Sequence, residues 1–170
     1  MTGWFVAILL ISTLSAPAFA EASKLAVFDL ELIDTSVEGD VPSPVAVQER
    51  LMRASGQLRR ELAQSGKYEI VDIAPVHVAA HGSNLQACGG CDVKFAQQLG
   101  ADLALTGIVR KISNLILNIS LFVRDVPSGR LVAAMNAGLR GDTDESWSRA
   151  IDYLVRNRLL APNYGAPQPK

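Results

Sequence analysis

The chain has 170 residues, 49% of them hydrophobic and 19% charged, with 16 basic against 17 acidic side chains and two cysteines. That length accommodates one ordinary domain with tails, and a formal charge of −1 excludes the broad basic footprint of a nucleic-acid binder. The aliphatic content excludes global disorder, and two cysteines cannot staple a miniprotein.

Residues 1–20 contain no Lys, Arg, Asp or Glu. Their apolar run, Trp4 to Leu14, is shorter than the roughly 20 residues that span a bilayer. Pro17 and then Ala18-Phe19-Ala20 follow it, which predicts a signal peptide over 1–20 and export to the periplasm. A single α/β domain is expected over 21–160 and a proline-containing flexible tail over 161–170.

Within the domain, Lys24 to Asp34 reads as a strand, apolar almost throughout to Phe28. Such continuity suits a strand covered on both faces. From Phe28 the pattern alternates, predicting Phe28, Leu30 and Leu32 on one face and Asp29 and Glu31 on the other. A Gly- and Pro-containing loop, 35–44, leads into a helix over 45–65 whose stripe is Val47, Leu51, Ser55, Leu58 and Leu62. Glu49, Arg53, Arg59, Arg60 and Gln64 lie opposite, and Gly66 ends the helix.

Tyr68 to Asp72 reads as a second strand, completing a βαβ unit. A helical turn after Pro75 and a short helix over 92–99 follow. Three strands then form a meander: 101–111, 115–125 and 130–139. In the middle one, Leu115, Leu117, Ile119, Leu121 and Val123 face one way, and Pro127-Ser128-Gly129 marks the turn that leaves it. Gly141 to Glu145 starts a last helix bearing Trp147, Ala150, Ile151, Leu154 and Val155 on its apolar face. The predicted order is β-α-β-α-β-β-β-α: an α/β (α+β) domain with a mixed five-stranded sheet and helices packed on it.

Three stretches carry a resemblance. Leu25-Ala26-Val27-Phe28-Asp29-Leu30-Glu31-Leu32, Gly66-Lys67-Tyr68-Glu69-Ile70-Val71-Asp72 and Leu99-Gly100-Ala101-Asp102-Leu103-Ala104-Leu105-Thr106-Gly107-Ile108-Val109 resemble the first three strands of certain bacterial envelope proteins. That group includes the periplasmic part of the curli-secretion lipoprotein and the amino-terminal domain of the Tol-system propeller protein. The likeness implies an anticodon-binding-like fold and work by protein–protein contact rather than catalysis. A narrower resemblance, over most of the chain after residue 20, is to an uncharacterised secreted proteobacterial family, a domain of unknown function. It rests on Ser113-Asn114-Leu115-Ile116-Leu117-Asn118-Ile119 and Gly141-Asp142-Thr143-Asp144-Glu145-Ser146-Trp147. The chain has no lipid-anchoring Cys at position 21, no propeller repeat and no pore-forming strand, so channel and Tol activities do not transfer.

Chemistry-bearing residues are few. Cys88-Gly89-Gly90-Cys91, just before a helix, has the spacing of a local structural disulfide, of a thiol–disulfide redox pair, or of half a metal site. Haem attachment fails because Asp92 stands where a His is required. His77 and His81, at i and i+4, are the weak candidate partners for a metal; none is assigned. Asp29 and Glu31 lie near the carboxyl end of the first strand, where ligands bind in open α/β sheets. No nucleophile motif accompanies them, and ion pairs with Arg110 or Lys111, or a loop cap, are the expected roles. Asp142, Asp144 and Glu145 lack the spacing of a calcium loop and read as helix capping. The expectation is a non-catalytic periplasmic accessory without cofactor, with a thiol–disulfide or metal-handling accessory as the alternative. Its partner is another envelope protein of unassigned identity. Candidate contacts are Asp29 and Glu31 on the first strand, the polar strand face around Asn118, Ser120 and Arg124, and the hairpin from Arg110 and Lys111 to Asn114.

Overall fold

The structure is a computed structural model describing residues 22–36 and 44–161. The predicted signal peptide and all but the first residue of the predicted tail lie outside the described residues. Four parallel strands, β1 (Ser23–Val27), β2 (Glu31–Asp34), β3 (Tyr68–Val71) and β4 (Leu103–Lys111), are joined to an antiparallel meander, β5 (Ile116–Asp125) and β6 (Leu131–Arg140). The sheet runs β3-β1-β4-β5-β6, with β2 also paired to β4. Its helices are α1 (Pro44–Gln64), α2 (His77–His81), α3 (Cys91–Gln98) and α4 (Asp144–Leu154).

The predicted class and element order stand, with six strands in place of five. The reason is one extra residue. Val27 pairs with Leu105 and Glu31 with Ile108, so Phe28, Asp29 and Leu30 face only Thr106 and Gly107. This bulge splits the predicted 24–34 strand and reverses its alternation. Phe28 consequently packs with Ile73, Val76, Ala96 and Ala104 on one side of the sheet, whereas Leu30 and Leu32 pack on the other. The expected grouping of Phe28 with Leu30 and Leu32 is thereby corrected. Gly107 sits opposite the bulge for a steric reason: a Cβ there would lie 2.3 Å from Leu30 Cδ2 and 2.7 Å from Leu121 Cδ2.

Two cores flank the sheet. The larger lies under α1 and α4 and contains Leu51, Leu58 and Leu62 from the predicted α1 stripe, with Trp147, Ile151 and Leu154. The smaller lies under α2 and α3. In β5, Leu117, Ile119, Leu121 and Val123 are buried as alternation requires. Leu115 precedes the strand and is 70% exposed, contrary to the sequence reading. Thr143 caps α4, accepting from the Ser146 amide while Ser146 Oγ accepts from the Thr143 amide. Asp142, next to this cap, ties three elements together. It accepts from Arg50 Nη1 at 2.6 Å, Lys111 Nζ at 3.1 Å and Trp147 Nε1 at 3.1 Å. The acidic segment is thus spent on capping and ion pairs.

Candidate functional site: a crevice beside the first strand

The chain leaves β1 through α1 to reach β3, then crosses back through α2 and α3 to β4 on the far side of β1. The two crossovers cover opposite faces. The carboxyl end of β1 is therefore a switch point, the place where open α/β sheets leave a crevice. A cavity of about 450 Å³ lies there. Its walls are Val47, Gln48 and Leu51 from α1 and His77, Ala80 and His81 from α2, with residues 28–32 and Asp34 along its length.

The polar groups are held by one another. Arg59 donates from Nε to the Val27 carbonyl at 3.0 Å and from Nη2 to Asp29 Oδ1 at 2.5 Å. The other Asp29 oxygen meets His77 Nε2 at 2.9 Å. His77 stacks on His81 with ring centroids 6.0 Å apart, as their i, i+4 spacing on α2 predicts. Glu31 Oε1 accepts from the Leu85 amide at 2.9 Å. Burial pushes the Glu31 carboxyl above its usual range, against the Leu85 amide and the nearby His81, which pull it down. Ser55 donates to the Leu51 carbonyl and accepts from the Leu30 amide, both within the buried interior.

Four sequence candidates, Asp29, Glu31, His77 and His81, thus converge on one crevice. Glu31 caps a loop, as one of the two expected roles has it. The expected ion pairs with Arg110 or Lys111 do not form: those residues pair in register with Ile33 and Asp34, farther along the strand. The residue that sequence reasoning missed is Arg59. Its Cα lies beside the α1 stripe, and only its length lets it reach back to the β1 terminus; the signal available was its place next to buried Leu58.

The remaining candidates lie elsewhere. Cys88 and Cys91 form a disulfide at the start of α3, with Cys88 exposed and both intervening glycines left-handed, at φ 68° and 100°. Among the described residues, no group of three or more His, Cys, Asp or Glu is placed to hold a metal. Arg110 is exposed, and Asn118 sits across from it on β5, half-buried, with Ser120 Oγ donating to Asn118 Oδ1. Arg124 reaches Asp92 of α3 at 3.2 Å. Asn114 is half-buried in the hairpin, where its carbonyl accepts from the Asp142 amide. Lys111 is buried against Asp142, so it anchors the hairpin from within. The strip on β6 beside Asn118 and Ser120, from Ala134 to Arg140, keeps Asn136, Gly138 and Arg140 exposed.

The model of the family DUF3280, described as "Protein of unknown function (DUF2380)", matches residues 23–159. No curated protein matches the chain. Among solved structures, the chain is similar to LpoB of Escherichia coli: 13% identity, 81% of this chain and 79% of that one, TM-score 0.51. The hypothetical protein CT253 of Chlamydia trachomatis gives 12% identity, 85% and 98% coverage, and TM-score 0.51. TolB of Acinetobacter baumannii gives 12% identity and TM-score 0.42, over 82% of this chain and 29% of that one. At these identities the likeness to LpoB and CT253 is one of fold. Among the described residues, no helix is long and apolar enough to cross a membrane.

Proposed function

The chain belongs to the DUF3280 family of proteins of unknown function, and we propose that it is a non-catalytic accessory of the bacterial envelope. It is exported to the periplasm and acts by contact with another envelope protein. One observation carries this reading: the carboxylates of the crevice are engaged in static contacts. Asp29 is held from both sides by Arg59 and His77, Glu31 holds the Leu85 amide, and buried Ser55 is occupied as donor and acceptor. A carboxylate-held His can orient a general base, but no Ser, Thr, Cys or Lys stands among the described lining residues to serve as its nucleophile. A crevice with apolar walls and satisfied polar groups suits binding. The disulfide closes the turn into α3 and serves structure in this reading.

A photo-crosslinking residue placed at Gln48 on the crevice rim, and separately at Asn136 on β6, tests the proposal in intact cells. Adducts with an envelope protein at either position, from chain recovered in the periplasmic fraction, are the expected result. Absence of adducts at both, or recovery of the chain in the cytoplasm, overturns it.

A further inference from the structure

β3 stops at Val71, opposite Ala26, while β2 continues the sheet along β4 for four more residues, Glu31 to Asp34. Beyond the end of β3, the outer edge of the sheet faces the crevice. The backbone groups on that edge fall into two sets. The Thr35 amide donates inward to the Lys111 carbonyl, so by the two-residue period of a strand the amides of Ile33 and Glu31 also point to β4. Those of Leu32 and Asp34 point outward. Nearer β3, α1 caps the outward groups: Arg59 takes the Val27 carbonyl and Ser55 the Leu30 amide. At Leu32 and Asp34, no partner caps the outward backbone among the described residues.

The crevice is therefore a slot in line with β3, roofed by α1 and floored by α2, with a strand edge at its back that no other described residue pairs. Unpaired edge groups are a template for another strand. The slot's lining adds specificity. Leu32, Val47, Leu51, Ile73, Ala80 and Leu85 are apolar, whereas Asp29, Glu31 and Asp34 supply carboxylates with no Lys or Arg in the lining. Asp29 is matched by Arg59, and Asp34 accepts from the Ser36 amide and hydroxyl with Lys111 nearby, which leaves Glu31, beside His81, as the carboxylate without a Lys or Arg.

We infer that the slot receives a short extended segment of the partner protein, which adds as a strand to the outer edge of β2. The segment places an aliphatic side chain in the crevice and a flanking Lys or Arg against Glu31. This rests on the accessory reading above and specifies its contact. Ser23 begins β1 at the opposite end of the sheet and Leu159 is held there by Lys67, just ahead of β3, whereas Ser36 and Pro44 lie beside the slot, next to Asp34 and Val47 of its lining.

The test uses the synthetic peptide acetyl-Lys-Val-Leu-Val-Lys-amide with the intact exported protein. NMR titration is expected to shift the amides of Leu32 and Asp34 and to slow their hydrogen exchange about tenfold. The Glu-flanked peptide is expected to bind about tenfold more weakly at low salt. N-methylation of alternate peptide amides, made in both phases, is expected to abolish binding in one phase. Asp34→Pro removes one outward amide without touching the β4 ladder, so it should keep its thermal melt and lose the peptide, while Asp34→Ala keeps most of the binding.

Equal binding of both N-methylated peptides, or of hexylamine in place of the peptide, overturns strand addition. Leu32 and Asp34 amides already protected in the free protein overturn it too, since another part of the chain then fills the edge. Crosslinks at Asn136 with no peptide binding sink the slot and leave the accessory reading intact. Absence of crosslinks at both positions removes the accessory reading itself.

Discussion

Glu31 shows how one side chain can support a loop and still cost stability. Its carboxyl sits higher in the fold than in the unfolded chain because burial disfavours the charge. The folded state then holds the proton more tightly, so stability falls as pH rises through the carboxylate range. Glu31→Gln keeps an acceptor for the Leu85 amide and removes the charge. Its melting temperature at pH 7 should exceed the parent's, and the gain should shrink as pH falls toward 4.5, the ordinary value of the group. A second residue-scale outcome concerns the disulfide. Its ring spans four residues, so Cys88→Ser/Cys91→Ser should cost no more than about 2 kcal/mol in urea unfolding. Peptide binding at the slot should survive. At this scale the sequence pointed to Asp29, Glu31, His77 and His81 because carboxylates at a strand end and imidazoles at helical spacing are visible without coordinates. That they meet was not visible, since their meeting depends on which side of the sheet α2 crosses.

Among the elements, the bulge at Phe28–Leu30 had the largest effect and the faintest trace. One additional residue leaves a hydrophobic pattern that reads equally well as a single strand, so the alternation from Phe28 to Leu32 was assigned to the wrong faces. The trace that existed is Gly107, a residue with no side chain in the middle of an otherwise aliphatic strand. It admits Leu30 against the sheet. Gly107→Ala should therefore cost about 1–3 kcal/mol by overpacking. Leu30→Ala should cost less in the Gly107→Ala background than in the parent, because it removes the clashing methyls. A double-mutant cycle by urea denaturation reads that coupling. Regular elements were easier. The α1 stripe and the burial alternation of β5 follow from period alone, whereas Leu115 falls outside the alternation because the hairpin turn still holds it and β5 begins one residue after it.

For the whole molecule, chain order and class were legible because each hydrophobic period stays uniform within its element. Which elements the charged residues lock together was not. Asp142 joins α1, β4 and α4 through Arg50, Lys111 and Trp147, and Lys111 is nearly sealed from solvent. Removing one member of such a buried set strands the others without a partner. Asp142→Ala should cost about 3–5 kcal/mol, read as a lower urea midpoint. The two cores share a single sheet, so Trp147 emission and far-UV circular dichroism should move together in that titration. Separated transitions would show the α2–α3 side melting by itself.

The outer edge of β2, unpaired among the described residues, also bears on how the protein lives among copies of itself. An uncovered strand edge is the usual seed of aggregation. This one is four residues long, begins at a bulge and carries Glu31 and Asp34. Two copies meeting edge to edge would bring carboxylates against carboxylates. The same charges that favour a basic guest therefore repel a twin, and the edge stays open to a foreign strand while closed to its own.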